Sequence, residues 1–375
     1  FLVLPRGRNF DTLVTAVPGV NQEPWLGGLS VDGASGAENM FYMDGTDITT
    51  LQTGVRGQSA AFEFVDEVKV VASGYPAEFG GAIGGVVTVV TRQGGNQFTG
   101  ELIAYYEGSR LTGKERDSLR LNPLNIMVAE YVNYQDMYGK DTRDRVEAGF
   151  NLSGYILKDR LWFFATVLPV YTPIMRKVTF ISVTPNIKGE YEQDNWAYNW
   201  QAKITAQPFN FVRMGASYVN NFTKYRGNLP GRDGTGSTTD VYEKYGFDYP
   251  NYTVQGFADF TFGNNFMVNV RGGRFLTNTT NQQVVANATR QRFSYSNSAY
   301  VPATDPRYRV RNWENRGRIY ETDKYIQYKN HASADFTYYL NFYGEHAWRA
   351  GFQWVRQGGD ASSAVSQTYP EVFMN

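Results

Sequence analysis

The sequence predicts a mainly β protein in two parts: a small α+β domain over residues 1–96, then antiparallel strands of a transmembrane β-barrel over residues 97–375, with the barrel incomplete in this chain. Three observations predict it. Hydrophobicity alternates with period two in nine segments after residue 96. Tight turns and long polar loops take turns along the same region. Before Gly94-Gly95-Asn96 neither pattern holds, and short apolar runs mix with Gly and Pro turns.

Composition removes the rival classes. Lys and Arg number 36 against 36 Asp and Glu, so there is no basic surplus to neutralise phosphate, and nucleic acid is not an expected partner. The 375 residues include no Cys and 2 His. Thiolate metal sites, disulfides and cysteine nucleophiles are therefore excluded. His331 and His346 fall on separate predicted strands, so neither a metal nor a cofactor is expected. No run reaches the ~18 apolar residues of a membrane helix. Aromatic residues, at 16%, are too many for a disordered chain.

The first part closes on Gly84-Gly85-Val86-Val87-Thr88-Val89-Val90-Thr91, read as a strand buried on both faces. Gly80, Gly81, Gly84 and Gly85 before it are expected where the backbone folds tightly or takes positive φ. A phosphate cradle would place its glycines after a strand and follow them with Gly-Lys-Ser/Thr, and here the order is reversed.

Strands of the second part begin near residues 97, 144, 161, 194, 211, 251, 266, 325 and 346. Phe150, Leu152 and Ile156 share one face and Glu147, Asn151 and Ser153 the other. Trp200, Ala202 and Ile204 alternate in the same way with Gln201, Lys203 and Thr205, and Ala334, Phe336 and Tyr338 with Asp335 and Thr337. Short turns fall at 158–160, 208–210, 263–265 and 342–345, and long loops at about 111–142, 177–193, 227–250 and 280–323. All long loops then leave one end of the sheet, as in outer-membrane barrels. Trp162, Phe163 and Phe164 after a short turn, and Trp196, Tyr198 and Trp200 after a long loop, are expected in interfacial girdles. A soluble β-sandwich also alternates, but its strands average about five or six residues, and these run to about ten or more.

Residues 40–95 resemble the plug domain of TonB-dependent outer-membrane receptors. The likeness rests on Tyr42-Met43-Asp44-Gly45-Thr46-Asp47, on Phe64-Val65-Asp66-Glu67-Val68-Lys69-Val70-Val71, and on the run from Gly74-Tyr75-Pro76-Ala77-Glu78-Phe79-Gly80-Gly81 to Thr91-Arg92. Ala72-Ser73-Gly74 stands where the family has Arg-Gly-Pro. Leu4-Pro5-Arg6-Gly7-Arg8-Asn9-Phe10 is similar to the start of plugs in the Oar-like branch. The resemblance implies a bacterial outer-membrane protein with no enzymatic activity. Its partners would be the TonB complex of the inner membrane, the surrounding outer-membrane lipid and an unknown nutrient ligand. Family barrels have about 22 strands, and a single-chain barrel closes with an even number. The coupling segment, the N-terminal carboxypeptidase-regulatory-like domain and the C-terminal aromatic strand of the family are not in the sequence. The chain is thus expected to be an internal piece, most of a plug plus about two-fifths of a barrel.

The plug motif residues are Asp44, Gly45, Asp66, Glu67, Glu78, Gly80, Gly81, Gly84 and Gly85. Candidate gating ion pairs between plug and wall draw on Arg56, Lys69, Glu101, Glu147, Lys203, Arg213, Arg271, Asp335 and Arg349, because a charge facing lipid costs about 2–4 kcal/mol at mid-membrane. No catalytic residue is expected. Gly231-Arg232-Asp233-Gly234 lacks the ligand spacing of a calcium loop. Tyr295, Tyr300, Tyr308, Trp313 and Tyr320 in the loop 280–323 suit capture of a large amphipathic or glycan-like ligand, and equally a loop packed on itself. Uptake of a large or scarce nutrient is the first functional expectation, and a non-transporting structural or adhesive surface protein the second. Ala202→Arg is expected to impair assembly, and Gln201→Arg to be tolerated in a wet lumen.

Overall fold

The segments that alternate in hydrophobicity pair into one antiparallel sheet, because each buries polar side chains on one face and leaves apolar ones on the other. The computed structural model describes residues 8–23, 28–51, 53–75, 79–122, 125–180, 186–234, 242, 245–283, 291–293, 322–364 and 372–374.

A first, smaller body precedes that sheet. Helix α1 (Phe10–Val14) leads to a short hairpin of β1 (Val20–Gln22) and β2 (Leu29–Val31). Strands β3 (Met40–Met43), β4 (Thr46–Asp47), β5 (Val65–Val71) and β6 (Val86–Thr91) form a mixed sheet in the order β4-β3-β6-β5. Asp44 and Gly45, with φ of 47° and 89°, make the tight β3–β4 turn, a conformation that Asp tolerates and Gly favours. Gly81 has a φ of 102°. Gly84 and Gly85 serve close packing instead: a Cβ on Gly85 would stand 2.7 Å from Val31 Cγ1, and one on Gly84 2.6 Å from Asn39 Oδ1. Val86, Val87 and Val89 are buried, whereas Val90 is 37% exposed, so β6 is not covered on both faces along its whole length.

The large sheet runs through β7 (Thr99–Gly108), β10 (Thr142–Leu157), β11 (Leu161–Phe180), β12 (Ile187–Phe209) and β13 (Val212–Arg226). It continues through β14 (Tyr245–Tyr249) with β15 (Asn251–Phe262), then β16 (Phe266–Gln283), β18 (Thr322–Asn341) and β19 (Glu345–Ala364). Strands β14 and β15 are one strand interrupted at Pro250. The pairings Thr223 with Tyr249 and Asn220 with Tyr252 keep one register. Proline has no N–H to give, but its carbonyl still accepts from Asn278 N at 2.9 Å. Strands β7 and β19 form the two edges and do not pair with each other, so the sheet is open.

The described parts of the long loops carry more regular structure than their composition predicts. The segment 111–142 carries a hairpin, β8 (Ser118–Asn122) with β9 (Asn125–Val132), and a helical turn, α2 (Tyr134–Tyr138). The segment 177–193 is mostly ladder, pairing Lys177 with Glu190 and Phe180 with Ile187. Part of 227–250 is β14, and the ends of 280–323 belong to β16 and β18. Backbone pairing between neighbouring strands carries the ladder past the point where side-chain alternation stops. Within 280–323, β17 (Gln291–Phe293) pairs in parallel with β20 (Val372–Met374). Tyr295, Tyr300, Tyr308, Trp313 and Tyr320 lie outside the described residues.

One face of the sheet is apolar and open: Phe150, Leu152, Trp200, Ile204, Phe336 and Phe352 are all exposed. Two aromatic bands border it. Tyr171 stacks with Trp196, Tyr198 packs on Phe222, and Trp200 stacks with Tyr218, which stacks with Tyr252. Toward the short turns, Phe209, Phe211, Phe262, Phe266 and Tyr338 touch in series. About ten residues of β12 separate the bands, ~33 Å along the strand and ~25 Å once tilted, which is the height of an outer-membrane hydrocarbon band. Of the run Trp162-Phe163-Phe164, only Phe163 shares the outward parity. Phe164 is buried at 4%, and Trp162 Nε1 donates to Asn96 Oδ1 at 2.7 Å. Three successive residues cannot share a face in a strand with period two.

Candidate functional site

The polar face of the wall is buried against the plug, and the site is the seam between them. Gln201, Lys203, Ser217, Thr253 and Gln255 are each no more than 6% exposed. Four wall side chains, Ile103, Leu168, Val219 and Phe275, enter the plug's own core beside Phe10, Phe41, Met43, Phe64 and Val87. Glycine permits the closest approach: a Cβ at Gly273 of β16 would lie 2.6 Å from Thr46 Oγ1 in β4 and 2.7 Å from His331 Cε1.

The β3–β4 turn is the most heavily bonded part of the seam. Asp44 Oδ1 accepts from Thr91 N at 2.8 Å and from Lys203 Nζ at 3.3 Å, and Oδ2 accepts from Thr91 Oγ1 at 2.5 Å and Ser217 Oγ at 2.9 Å. Lys203 Nζ also donates to Thr91 O at 3.0 Å. The two charged side chains are 4% and 6% exposed. The cluster therefore ties the turn, the closing strand of the plug and two wall strands through one buried ion pair. A second pair follows on the same turn: Lys329 Nζ stands 2.6 Å from Asp47 Oδ2, and Asp47 Oδ1 accepts from Thr49 N at 2.8 Å. Neutral bonds extend the seam. Gln58 Nε2 donates to Val219 O at 3.1 Å and its Oε1 accepts from Thr253 Oγ1, while Leu51 N donates to Gln327 Oε1 at 2.8 Å.

A third ionic contact sits at the start of the plug. Arg8 lies over the Tyr105 ring, 3.4 Å from its centroid, pairs with Glu63, and donates from Nε to Glu147 Oε2 at 3.1 Å. Arg145 Nη2 holds the other oxygen of Glu147 at 2.5 Å. Within the plug, Asp11 pairs with Arg56 at 2.6 Å, and burial pushes the Asp11 carboxyl above the usual aspartate range while Arg56 pulls it back.

The gating candidates therefore divide. Lys203 and Glu147 form ion pairs with the plug, and Arg213 reaches it by a hydrogen bond to Gln93 Oε1 at 2.9 Å. Arg56 is spent inside the plug. Arg271 pairs with Asp259 across neighbouring wall strands at 2.5 Å, and Glu101 accepts from Asn151 of the wall at 2.7 Å. Asp335 and Arg349 line a cavity of about 800 Å³ beside Tyr42, Gly45 and Phe79, and Lys69 stands exposed on β5; none of the three forms an ion pair among the described residues. Asp66 and Glu67 are exposed on β5, Gly80 and Gly81 are exposed before β6, and Glu78 lies outside the described residues. Gln201 is 1% exposed and donates to Arg92 O at 3.3 Å, so the lumen at that position is filled by plug, and Gln201→Arg has no wet space to enter. Lys329 and Ser217 were missed. Both carry the inward parity of their strands, and extending the alternation upstream of Ala332 would have found Lys329.

Toward the long-loop end, the plug residues Asn9 and Ser59 and the wall residues Asn195, Asn199 and Asn221 border a polar pocket of about 240 Å³. Arg143 and Arg145 stand at its side.

A long-stranded wall with an apolar, aromatic-banded outer face and a folded plug locked to its polar face has the architecture of part of a plugged β-barrel. Over 187 residues the chain is 29% identical to the TonB-dependent transporter Oar of Myxococcus xanthus, a match covering 50% of this chain and 16% of that protein. No family model matches. Among solved structures, the outer-membrane transporter YddB of Escherichia coli superposes with a TM-score of 0.67 at 13% identity, covering 96% of this chain and 47% of that one. The siderophore receptor PirA of Acinetobacter baumannii gives 0.57 at 14% identity, covering 94% and 46%. The chain thus spans about a sixth of the curated relative, 16%, and just under half of these solved structures. These likenesses give it the plug-and-wall fold seen in the outer-membrane transporter YddB and the siderophore receptor PirA. The proteins it resembles are transporters and receptors rather than enzymes.

Proposed function

We propose that the chain is the plug and part of the barrel wall of an energised importer. A large or scarce nutrient binds at the long-loop end, the plug blocks the lumen, and force transmitted from the inner membrane through TonB rearranges the plug. Outer-membrane lipid surrounds the apolar face. The observation that carries the reading is the seam: beside the shared apolar core, the plug is tied to the wall by concentrated ionic clusters, Asp44 with Lys203 and Asp47 with Lys329, the first of which joins the β3–β4 turn and the closing strand at one point. The sequence carries no Gly-Lys-Ser/Thr phosphate cradle, and in this reading the work is supplied from outside.

The test is nutrient-limited growth and radiolabel uptake in cells lacking the protein and in cells lacking TonB. Import requires both deletions to abolish uptake of the same compound. A structural or adhesive role is the second reading, favoured by the β8–β9 hairpin, whose Leu119, Leu121, Met127 and Tyr131 are 61%, 61%, 89% and 74% exposed. Loss of surface attachment with unchanged uptake across a nutrient panel would select that role and reject import.

A further inference from the structure

The polar pocket near the long-loop end carries more chemistry than the plug seam requires. Its hydrogen-bonding groups are unevenly spent. Asn221 Nδ2 donates to Asn199 Oδ1 at 2.8 Å, which uses one donor of Asn221 and the acceptor of Asn199. Among the described residues Asn221 Oδ1 is left buried with no partner, as is Asn195 Oδ1 on the neighbouring stretch of β12. Asn199 Nδ2 has no acceptor among the described residues. Buried acceptors without partners cost about 1–3 kcal/mol each, so a site that retains them suits a ligand that donates.

The charge is also uneven. Arg145 is held by Glu147, and Arg8 is shared between Glu63 and Glu147. Arg143 lines the same pocket and has no carboxylate partner among the described residues. Among the described residues Arg143, exposed at the pocket's side, is therefore free to meet an anion. A bare inorganic anion fits poorly, because the orphaned amide oxygens would face its own oxygens. Hydroxyl groups fit, since each both donates and accepts. At about 240 Å³ the pocket lies below the ~300–1,000 Å³ of drug-sized sites, which matches one sugar ring.

We propose that this pocket binds a sugar acid, free or as the terminal unit of a glycan, with its carboxylate on Arg143 and its hydroxyls on the amides of Asn195, Asn199 and Asn221. The assignment rests on the importer reading and specifies its ligand class. Arg–carboxylate contact is the strong, charge-assisted element, and the asparagines discriminate hydroxylated acids from simple ones.

The test uses the full-length protein purified from outer membranes, titrated calorimetrically with D-glucuronate, D-glucose and succinate. Glucuronate is expected to bind at least about 10-fold more tightly than either of the others. Arg143→Gln should bring glucuronate down to the level of glucose, Arg143→Lys should restore part of the difference, and Asn221→Leu should weaken both sugars about 10-fold. Unchanged heat-modifiable mobility certifies that each variant folds. Absence of glucuronate binding, equal binding of succinate, or indifference to Arg143→Gln in a folded variant overturns the assignment. Uptake separates the two levels of inference. If TonB-dependent uptake of another compound persists while glucuronate fails to bind, only the ligand class falls; if no uptake depends on TonB, the importer reading falls as well.

Discussion

Replacing Lys203 by Met removes the positive partner of a carboxylate that stays where it was. Asp44 would keep three neutral donors, Thr91 N, Thr91 Oγ1 and Ser217 Oγ, and lose its counter-charge, while Thr91 O would lose a donor. With the two side chains 4% and 6% exposed, water does not replace the lost charge, and breaking such a pair costs about 3–5 kcal/mol. Removing both charges in Asp44→Asn/Lys203→Met leaves no orphan ion and should cost far less. These 375 residues contain no cysteine, so Val87→Cys in the plug core, a position 0% exposed, places one thiol among them as a reporter of plug opening. Where reclosing is fast, thiol labelling follows the open population, and 3 kcal/mol corresponds to about a 150-fold faster rate. Lys203→Met should therefore accelerate labelling by about two orders of magnitude or more, and the double variant by about 10-fold or less. A single variant that labels less than about 5-fold faster, or a double variant as fast as the single, would refute the buried-latch reasoning.

Gly273→Val should loosen the plug in the same assay by about 1–3 kcal/mol, because its Cβ meets Thr46 Oγ1 at 2.6 Å, whereas Gly256→Ala, with its nearest neighbour at 3.6 Å, should leave labelling unchanged. Phe275→Ala should cost plug stability about 3–5 kcal/mol while heat-modifiable mobility of the barrel stays as it was, since Phe275 belongs to the plug's core although β16 carries it. Ala202→Arg on the lipid face should cut assembled protein, at about 2–4 kcal/mol near mid-membrane. Gln201→Arg should free the plug for rapid labelling, and Glu101→Lys, exposed on the lumen face, should do neither. The Asp11 carboxyl, raised by burial, binds more protons folded than unfolded between the ordinary aspartate range and its raised value. Plug stability should then fall as pH rises through that window, and Asp11→Asn should abolish the slope.

The wall was legible in the sequence because a strand's side-chain period is a local property. Phe150 and Asn151, or Trp200 and Gln201, are assigned to opposite faces by adjacency alone, and a slip of one residue would invert every one of them. Asp44 and Gly45 were named only through the resemblance, and the structure supplies the local reason, since positive φ at two successive positions restricts which residues stand there. Local pattern also misled where backbone pairing continued beyond it. The polar stretch 177–193 reads as loop, yet β11 and β12 hold each other in ladder almost to its centre. What the sequence could not supply is the partner across the seam. Asp44 and Lys203 are 159 residues apart, and Asp47 and Lys329 282 apart, and the wall offers many inward charges at equal parity. Which of them meets the plug depends on how far up the wall the plug sits and which strands it faces. That is set by the packing of Ile103, Leu168, Val219 and Phe275 into a core whose other half is carried by plug residues between Phe10 and Val89. The same packing made Gln201 a buried contact rather than a wet one, because the period fixes the face of a side chain but not what fills the space in front of it.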